Sequence, residues 1–339
     1  MRSGISPTRD TTAPASCPGQ RSPAEVRVEE RQFTFEGFTY HCRVAHAGSP
    51  TTEPLVLLGG SSQNRYAWLR HEKWLAAYAT VITVDLPGYG EADFLPASHG
   101  MDFLAANVRH MFEELDVPRA NLVGSCFGGA IALRFAQHYP GYVAKLALVG
   151  MTKVIPDDYA TAVPRWARML ELGDRAQIAT ELVQRFMSPP GTGAVHKHQA
   201  VSRLLYGQFM AQSESDILKS VEHNTRLMSH DWYRDEPVPA VPALVCTGEY
   251  DTLCTPAMGR DVAAVLPAAA FTTIKHADHL APVERMPEFC DLVTRFCSDQ
   301  PLTDLPYTNP IEWMGTTRCP DPREGGDVGG GTGDVRGVQ

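Results

Sequence analysis

From residue 55 onward, short apolar runs alternate with stretches of helical periodicity, and this alternation most constrains the fold. "PLVLLGG", "VITVDL", "ANLVGS", "AKLALVG", "ALVCTGEYD" and "AFTTIKH" have the length of buried strands and end in turn-forming or polar residues. Between them, "MDFLAANVRHMFEELDV", "GGAIALRFAQHYP", "GRDVAAVLP" and "MPEFCDLVTRFCS" carry apolar residues at helical spacing. Strands apolar along their whole length, separated by helices, imply βαβ units and a mostly parallel sheet with helices on both faces. Upstream, "RQFTFEGFTYHCRVA" reads as two strands around a turn at Glu36-Gly37. "AFTTIKH" is expected to be the last strand, with His276 still inside it.

The rhythm breaks between residues 156 and 237. There "AVPRWARMLELGDRAQIATELVQRFM" and "SESDILKSVEHNTRLM" read as amphipathic helices, and no strand pattern appears. The expected organisation is a core over 25–155 and 238–300 with a helical cap, 156–237, inserted into it. Residues 1–24 read as a disordered tail. Residues 301–339 form an extension, Gly-rich and disordered at its end. A chain of 339 residues with 43% hydrophobic content suits one sizeable core. A net charge of −9, with no clustered basic residues, argues against nucleic acid as partner. No apolar run reaches the roughly 18–20 residues of a spanning helix. The N-terminus lacks the apolar core of a secretory signal, so a cytoplasmic location is expected. Cys17, Cys42, Cys126, Cys246, Cys254, Cys290, Cys297 and Cys319 are scattered. That spacing favours reduced thiols over a disulfide framework or a zinc site. No metal or cofactor is expected.

One strand-to-helix junction, "NLVGSCFGGAIALRF", places Ser125 and Cys126 side by side. A Gly-x-nucleophile-x-Gly turn exposes its central side chain above the sheet, and the glycines avoid clashes with strand and helix. Centred on Cys126, the flanking positions are Gly124 and Gly128. Centred on Ser125, they are Val123 and Phe127, and the pattern fails. Cys126 therefore holds the nucleophile position. In isolation the motif would read more simply as a buried structural cysteine; its partners shift the balance. A nucleophile of this kind needs a base and a group to orient the base. "LVCTGEYD" ends its strand near Asp251, and "TTIKHADHL" presents His276 and His279. Asp251 is the acid candidate. His279 is preferred as base because "LAPVERMPEF" sets the distance to the next helix. The order Cys126, Asp251, His279, each at a strand end, is the order this chemistry takes on such a sheet. A developing oxyanion needs two aligned N–H donors, assigned to the backbone of Phe127 and of Ser61 in "LLGGSSQNRYAW". The acyl pocket is assigned to Gly60, Ser62, Trp166, Met169, Phe186 and Phe209.

These residues resemble the α/β-hydrolase superfamily. The resemblance rests on "LGGSSQNRYAW", "VDLPGYGEAD", "GSCFGGAIALRFAQHYP", "TGEYDTLCTP" and "HADHLAPVERMPEF", over about residues 30–155 and 238–298. Gly59-Gly60 stands where His-Gly is common, and Asp278 where a glycine commonly precedes the histidine. The cap more weakly resembles 3-(3-hydroxyalkanoyloxy)alkanoic acid synthases. The GxCxGG elbow is similar to polyhydroxyalkanoate synthases and dienelactone hydrolases. The resemblance implies an α/β-hydrolase fold and an acyl-S-Cys126 intermediate. Passing an acyl group from a thioester to cysteine keeps it activated, which favours transfer over plain hydrolysis. The leading expectation is thus an acyltransferase or thioesterase. It would take a fatty, 3-hydroxyacyl or polyketide-type chain from acyl-CoA or an acyl carrier protein to a small-molecule alcohol or amine. A cysteine-dependent ester or lactone hydrolase is the alternative. A ligand-binding protein on the same fold is a further one.

Overall fold

The computed structural model describes residues 26–314 except 62, 193 and 239. The tail expected over 1–24, the Gly-rich end, Cys17 and Cys319 lie outside the described residues, as does Ser62. The strands are β1 (Arg27–Phe35), β2 (Phe38–His46), β3 (Leu55–Leu58), β4 (Val81–Asp85), β5 (Ala120–Ser125), β6 (Val143–Val149), β7 (Ala243–Gly248), β8 (Ala269–Ile274) and β9 (Glu312–Met314). The helices are α1 (Leu69–Leu75), α2 (Met101–Glu114), α3 (Phe127–His138), α4 (Asp157–Glu171), α5 (Arg175–Phe186), α6 (His198–Ala211), α7 (Glu214–Ser229), α8 (Pro256–Ala263), α9 (Ala281–Glu284) and α10 (Met286–Cys297).

The strands form one sheet in the order β1-β2-β4-β3-β5-β6-β7-β8-β9. The α/β-hydrolase fold read from the sequence is present: β4, β3, β5, β6, β7 and β8 run parallel, and β1, β2 and β9 pair antiparallel at the edges. The β1–β2 turn falls at Glu36 and Gly37, both with positive φ, where Phe35 pairs with Phe38. Both faces of the parallel strands are covered, which is why they read as continuous apolar runs. On β3, Val56 and Leu58 join the core under α2, α3 and α8, while Leu55 and Leu57 join the core under α1 and α10. The same alternation puts Leu122 on one side of β5 and Val123 on the other. This is the period of two that a strand imposes on its side chains.

After β3 the chain moves outward to β4, then crosses back so that β5 pairs with the other edge of β3. The reversal opens a crevice at the carboxyl ends of β3 and β5, where open α/β sheets bind ligands. Four helices, α4 to α7, lie between β6 and β7. No helix among the described residues is long and apolar enough to cross a membrane.

Three local expectations are corrected. "AFTTIKH" is not the last strand. The segment after α10 returns as β9, and Trp313 pairs with Ala270. His276 lies beyond β8, in a turn with φ of 57°. The chain must reverse there to enter the next loop, and the apolar run ends at Ile274. The long amphipathic stretch of the insertion is two helices, broken at Gly173, whose φ of 77° suits glycine.

The elbow depends on two glycines. A methyl group on Gly128 would be driven into the Leu58 carbonyl, and one on Gly124 into the Gly128 carbonyl. Backbone atoms cannot yield as a flexible side chain does. Gly128→Ala is expected to lose several kcal/mol of stability, at least the ~1–3 typical of overpacking. Thermal unfolding of the variant checks this, and an unchanged midpoint would contradict it.

Candidate active site

Cys126 joins β5 to α3 with φ 52° and ψ −115°. For a residue with a Cβ this is a strained conformation, held because the surroundings over-determine it. Its N–H donates to the Val149 carbonyl at 2.8 Å, and its carbonyl accepts from Gly129 at 2.9 Å. The turn lifts the thiol above the sheet. Among the described cysteines, Cys126 alone is half-buried; Cys42, Cys246, Cys254, Cys290 and Cys297 are buried. Burial pushes the thiols of Cys42, Cys246, Cys254 and Cys297 up to about 12, so they stay protonated.

Asp251 follows β7, and His279 lies in the loop between β8 and α9. His279 Nδ1 donates to Asp251 Oδ2 at 2.9 Å. Asp251 also accepts from Thr247 Oγ1 at 2.7 Å, from Leu253 N at 2.9 Å and from Cys254 N at 2.7 Å. Four donors hold this buried carboxylate in one orientation. With Nδ1 committed to Asp251, Nε2 is the nitrogen left for the Cys126 thiol, whose nearness favours the charged ring. Burial works against a charged His279. The charge and hydrogen bond of Asp251, joined by Cys126, outweigh it and hold the ring well above the usual histidine value. Phe186 of α5 packs beside the ring, with centroids 5.6 Å apart. The structure thus brings Cys126, His279 and Asp251 together, and leaves His276 outside the group.

The segments assigned to the oxyanion are the β3 exit and the start of α3. A methyl on Gly60 would lie 3.3 Å from Cys126 Cβ, so the β3 exit runs directly against Cys126. The Gly60 N–H donates to Gln63 Oε1 at 2.8 Å, which ties the loop to itself. Phe127 is the first residue of α3, where backbone N–H groups have no partner within the helix. Ser61, assigned to the oxyanion, and Trp166, Phe186 and Phe209, assigned to the pocket, line a cavity of about 80 Å³; Gly60, also assigned to the pocket, does not, its backbone being packed against Cys126. Met169 does not line it; it is half-buried and packs against the main core. Sequence reasoning also missed Tyr159, His223 and Asn224, which line the cavity. His223 and Arg226 are buried one turn apart on α7, beside Leu227. Polar residues on the apolar stripe of an amphipathic helix were the signal available. Among the described residues, no three His, Cys, Asp or Glu side chains are grouped as metal ligands.

Asp278, which replaces the commoner glycine, is fully buried. Its carboxylate accepts from Ser188 N, just past α5, and from His279 N at 2.9 Å. It therefore fastens the base-bearing loop to the insertion. Its own N–H donates to Glu284 Oε2 at 2.6 Å.

A profile of the α/β-hydrolase fold family matches residues 53–285. The chain belongs to the α/β-hydrolase family. A 2-hydroxy-6-oxononadienedioate/2-hydroxy-6-oxononatrienedioate hydrolase of Paraburkholderia phymatum is 26% identical over 251 residues, 72% of this chain and 86% of that protein. A 2-hydroxy-6-oxo-2,4-heptadienoate hydrolase of Pseudomonas putida is 26% identical over 52% of this chain and 70% of that one. The enol-lactonase of Burkholderia xenovorans superposes with a TM-score of 0.65 at 20% identity, over 78% of this chain and 99% of that one. The last likeness concerns the fold. The two curated relatives carry hydrolase names.

Two predictions follow from the geometry. Iodoacetamide added to the native protein is expected to label Cys126 first and the five buried described cysteines only on unfolding, read by peptide mass mapping. Equal labelling of Cys246 or Cys290 would contradict it. Burial, with the charges of Asp278 and Asp251 adding, pushes Glu284 up to about 7 against the pull of the Asp278 N–H. The fold therefore binds this proton more tightly than the unfolded chain, whose glutamates titrate near ~4.3. The stabilisation is fully present below about 4.3 and is lost as pH rises through about 7, on the order of 3 kcal/mol. Glu284→Gln is expected to flatten that loss in denaturant titrations across this window. Parallel wild-type and variant profiles would refute it.

Proposed function

We propose that the protein is a cysteine-dependent acyl hydrolase that works through an acyl-S-Cys126 intermediate. One observation carries this reading: the half-buried thiol at the strained turn lies by a histidine oriented by a buried aspartate. Hydrolase relatives support water as acceptor. His279 takes the Cys126 proton at Nε2, and the thiolate attacks the acyl carbon of an ester or lactone. The N–H groups of Phe127 and Ser61 receive the negative charge on the tetrahedral oxygen. Collapse breaks the bond to the leaving oxygen, which takes the proton from His279. Water then attacks the thioester while His279 accepts its proton, and collapse returns the pair to Cys126. Asp251 holds the tautomer and stabilises the imidazolium without itself taking a proton.

A second reading is favoured by the nucleophile and by the apolar wall of the cavity, which includes Trp166, Ile178, Leu182 and Phe186. An acyl-cysteine formed from acyl-CoA or an acyl carrier protein retains thioester activation. An alcohol or amine in place of water would then give an ester or amide, with the same residues acting.

The test is intact-protein mass after exposure to a panel of acyl esters, lactones and acyl thioesters. An acyl-sized gain in the wild type, absent from Cys126→Ala, is the expected result. His279→Ala and Asp251→Asn are each expected to lower kcat/KM by about 10²–10⁴-fold. Full activity in Cys126→Ala would overturn the reading. Turnover that requires an added alcohol or amine would select transfer over hydrolysis.

A further inference from the structure

The cavity has a polar corner built from both the sheet and the insertion. His223, on α7, lies with Nε2 2.6 Å from Ser61 Oγ and Nδ1 3.1 Å from the Tyr89 hydroxyl. Its ring centroid is 4.0 Å from that of Phe127, the residue after the nucleophile. Ser61 follows Gly60, which packs against Cys126. Both Ser61 and His223 face the cavity. The helix that carries His223 is tied down to the loop after β4. Arg226 donates to the carbonyls of Leu95 at 2.8 Å and His99 at 2.6 Å, and Lys219 to those of Gly90 and Ala92 at 2.7 Å.

The proton positions along this chain follow from its surroundings. Burial, with the charge of Arg226 adding, pushes His223 down to about 3, so the ring is neutral and has one donor and one acceptor nitrogen. Burial holds the Tyr89 hydroxyl well above its usual range, so it keeps its proton. The acceptor the structure places against that buried proton is His223 Nδ1. A ring proton on Nδ1 would take this acceptor away from the Tyr89 hydroxyl, and a buried donor left unmade costs about 1–3 kcal/mol. The ring proton therefore sits on Nε2, which donates to Ser61 Oγ. Ser61 accepts there and keeps its own hydroxyl proton for the cavity.

We propose that the Ser61 hydroxyl is a third donor to the acyl oxygen, and that His223, reaching down from the insertion, is the positioning residue that aims it. The proposal deepens the acyl-cysteine reading and rests on it. It also assigns the insertion a part in completing the oxyanion hole, beyond walling the cavity.

Full-length Ser61→Ala, His223→Leu, His223→Gln and the Ser61→Ala/His223→Leu double variant separate this from a structural role. Two rates are compared: steady-state turnover of p-nitrophenyl butyrate, and alkylation of Cys126 by iodoacetamide. Alkylation is displacement at a saturated carbon and forms no tetrahedral oxyanion, so it reads the thiol and its base alone. Ser61→Ala is expected to lower kcat about 10–100-fold, with KM and alkylation within about twofold of wild type. His223→Leu should match it, and the double variant should lose no more than Ser61→Ala alone, since the two act as one unit. His223→Gln, whose amide N–H can replace the Nε2 donor, should recover most of the rate. Ser61→Ala with unchanged kcat, additive losses in the double variant, or alkylation falling in step with kcat would each overturn the proposal. Cys126→Ala is assayed alongside: turnover surviving there defeats the acyl-cysteine reading itself. A silent Ser61→Ala beside an inactive Cys126→Ala defeats only this one.

Discussion

The constraint on which the site depends is the close approach of two backbones, the exit of β3 and the start of α3. Gly128 meets the Leu58 and Gly59 carbonyls with no room for a side chain, and Gly124 meets the backbone of Gly128 and Gly129 in the same way. Cys126, trapped between them, has no relaxed conformation available and adopts φ of 52°. The same approach sets Gly60 beside Cys126. Cys126 and the start of α3 are thus placed by one packing event, and any loosening there would displace both together.

The second layer of organisation is electrostatic. Asp251 is buried with four donors around it, and it holds His279 in the tautomer that leaves Nε2 toward Cys126. Below that pair, Asp278 and Glu284 lie fully buried and linked to each other, with Asp278 reaching across to the backbone of Ser188. Two carboxyl groups so close to Asp251 are tolerable because one of them, Glu284, retains its proton into the neutral range. The charge that sequence places beside the base is therefore a fastening between the histidine loop and the insertion. At the cavity a neutral imidazole, His223, plays a corresponding structural part between α7 and the β3 exit.

Much of this arrangement was legible in the chain. Gly124 and Gly128 frame Cys126 and not Ser125, which identifies the elbow without coordinates. The apolar runs marked the parallel strands, because strands covered on both faces lose their polar alternation. His279 was separable from His276 by the helix that follows it. Other features left weaker traces. β9 is three residues long and gains its strand character only by pairing with β8. The break at Gly173 lies inside a stretch whose apolar periodicity runs on through both helices. Met169 and Trp166 both pack on the core from the same helix, yet only Trp166 also reaches the cavity.

By itself the sequence determined the fold class, the elbow and the chain order of cysteine, aspartate and histidine. These depend on local rules: periodicity, the steric need for glycine, and the turn that ends each strand. Only the tertiary structure decided which cysteine is accessible, that Asp278 is a buried fastening, and that His223 and Tyr89 meet at Ser61. Burial and proton position depend on groups far apart in the chain, and no local pattern records which of them the folded chain will bring within hydrogen-bonding distance.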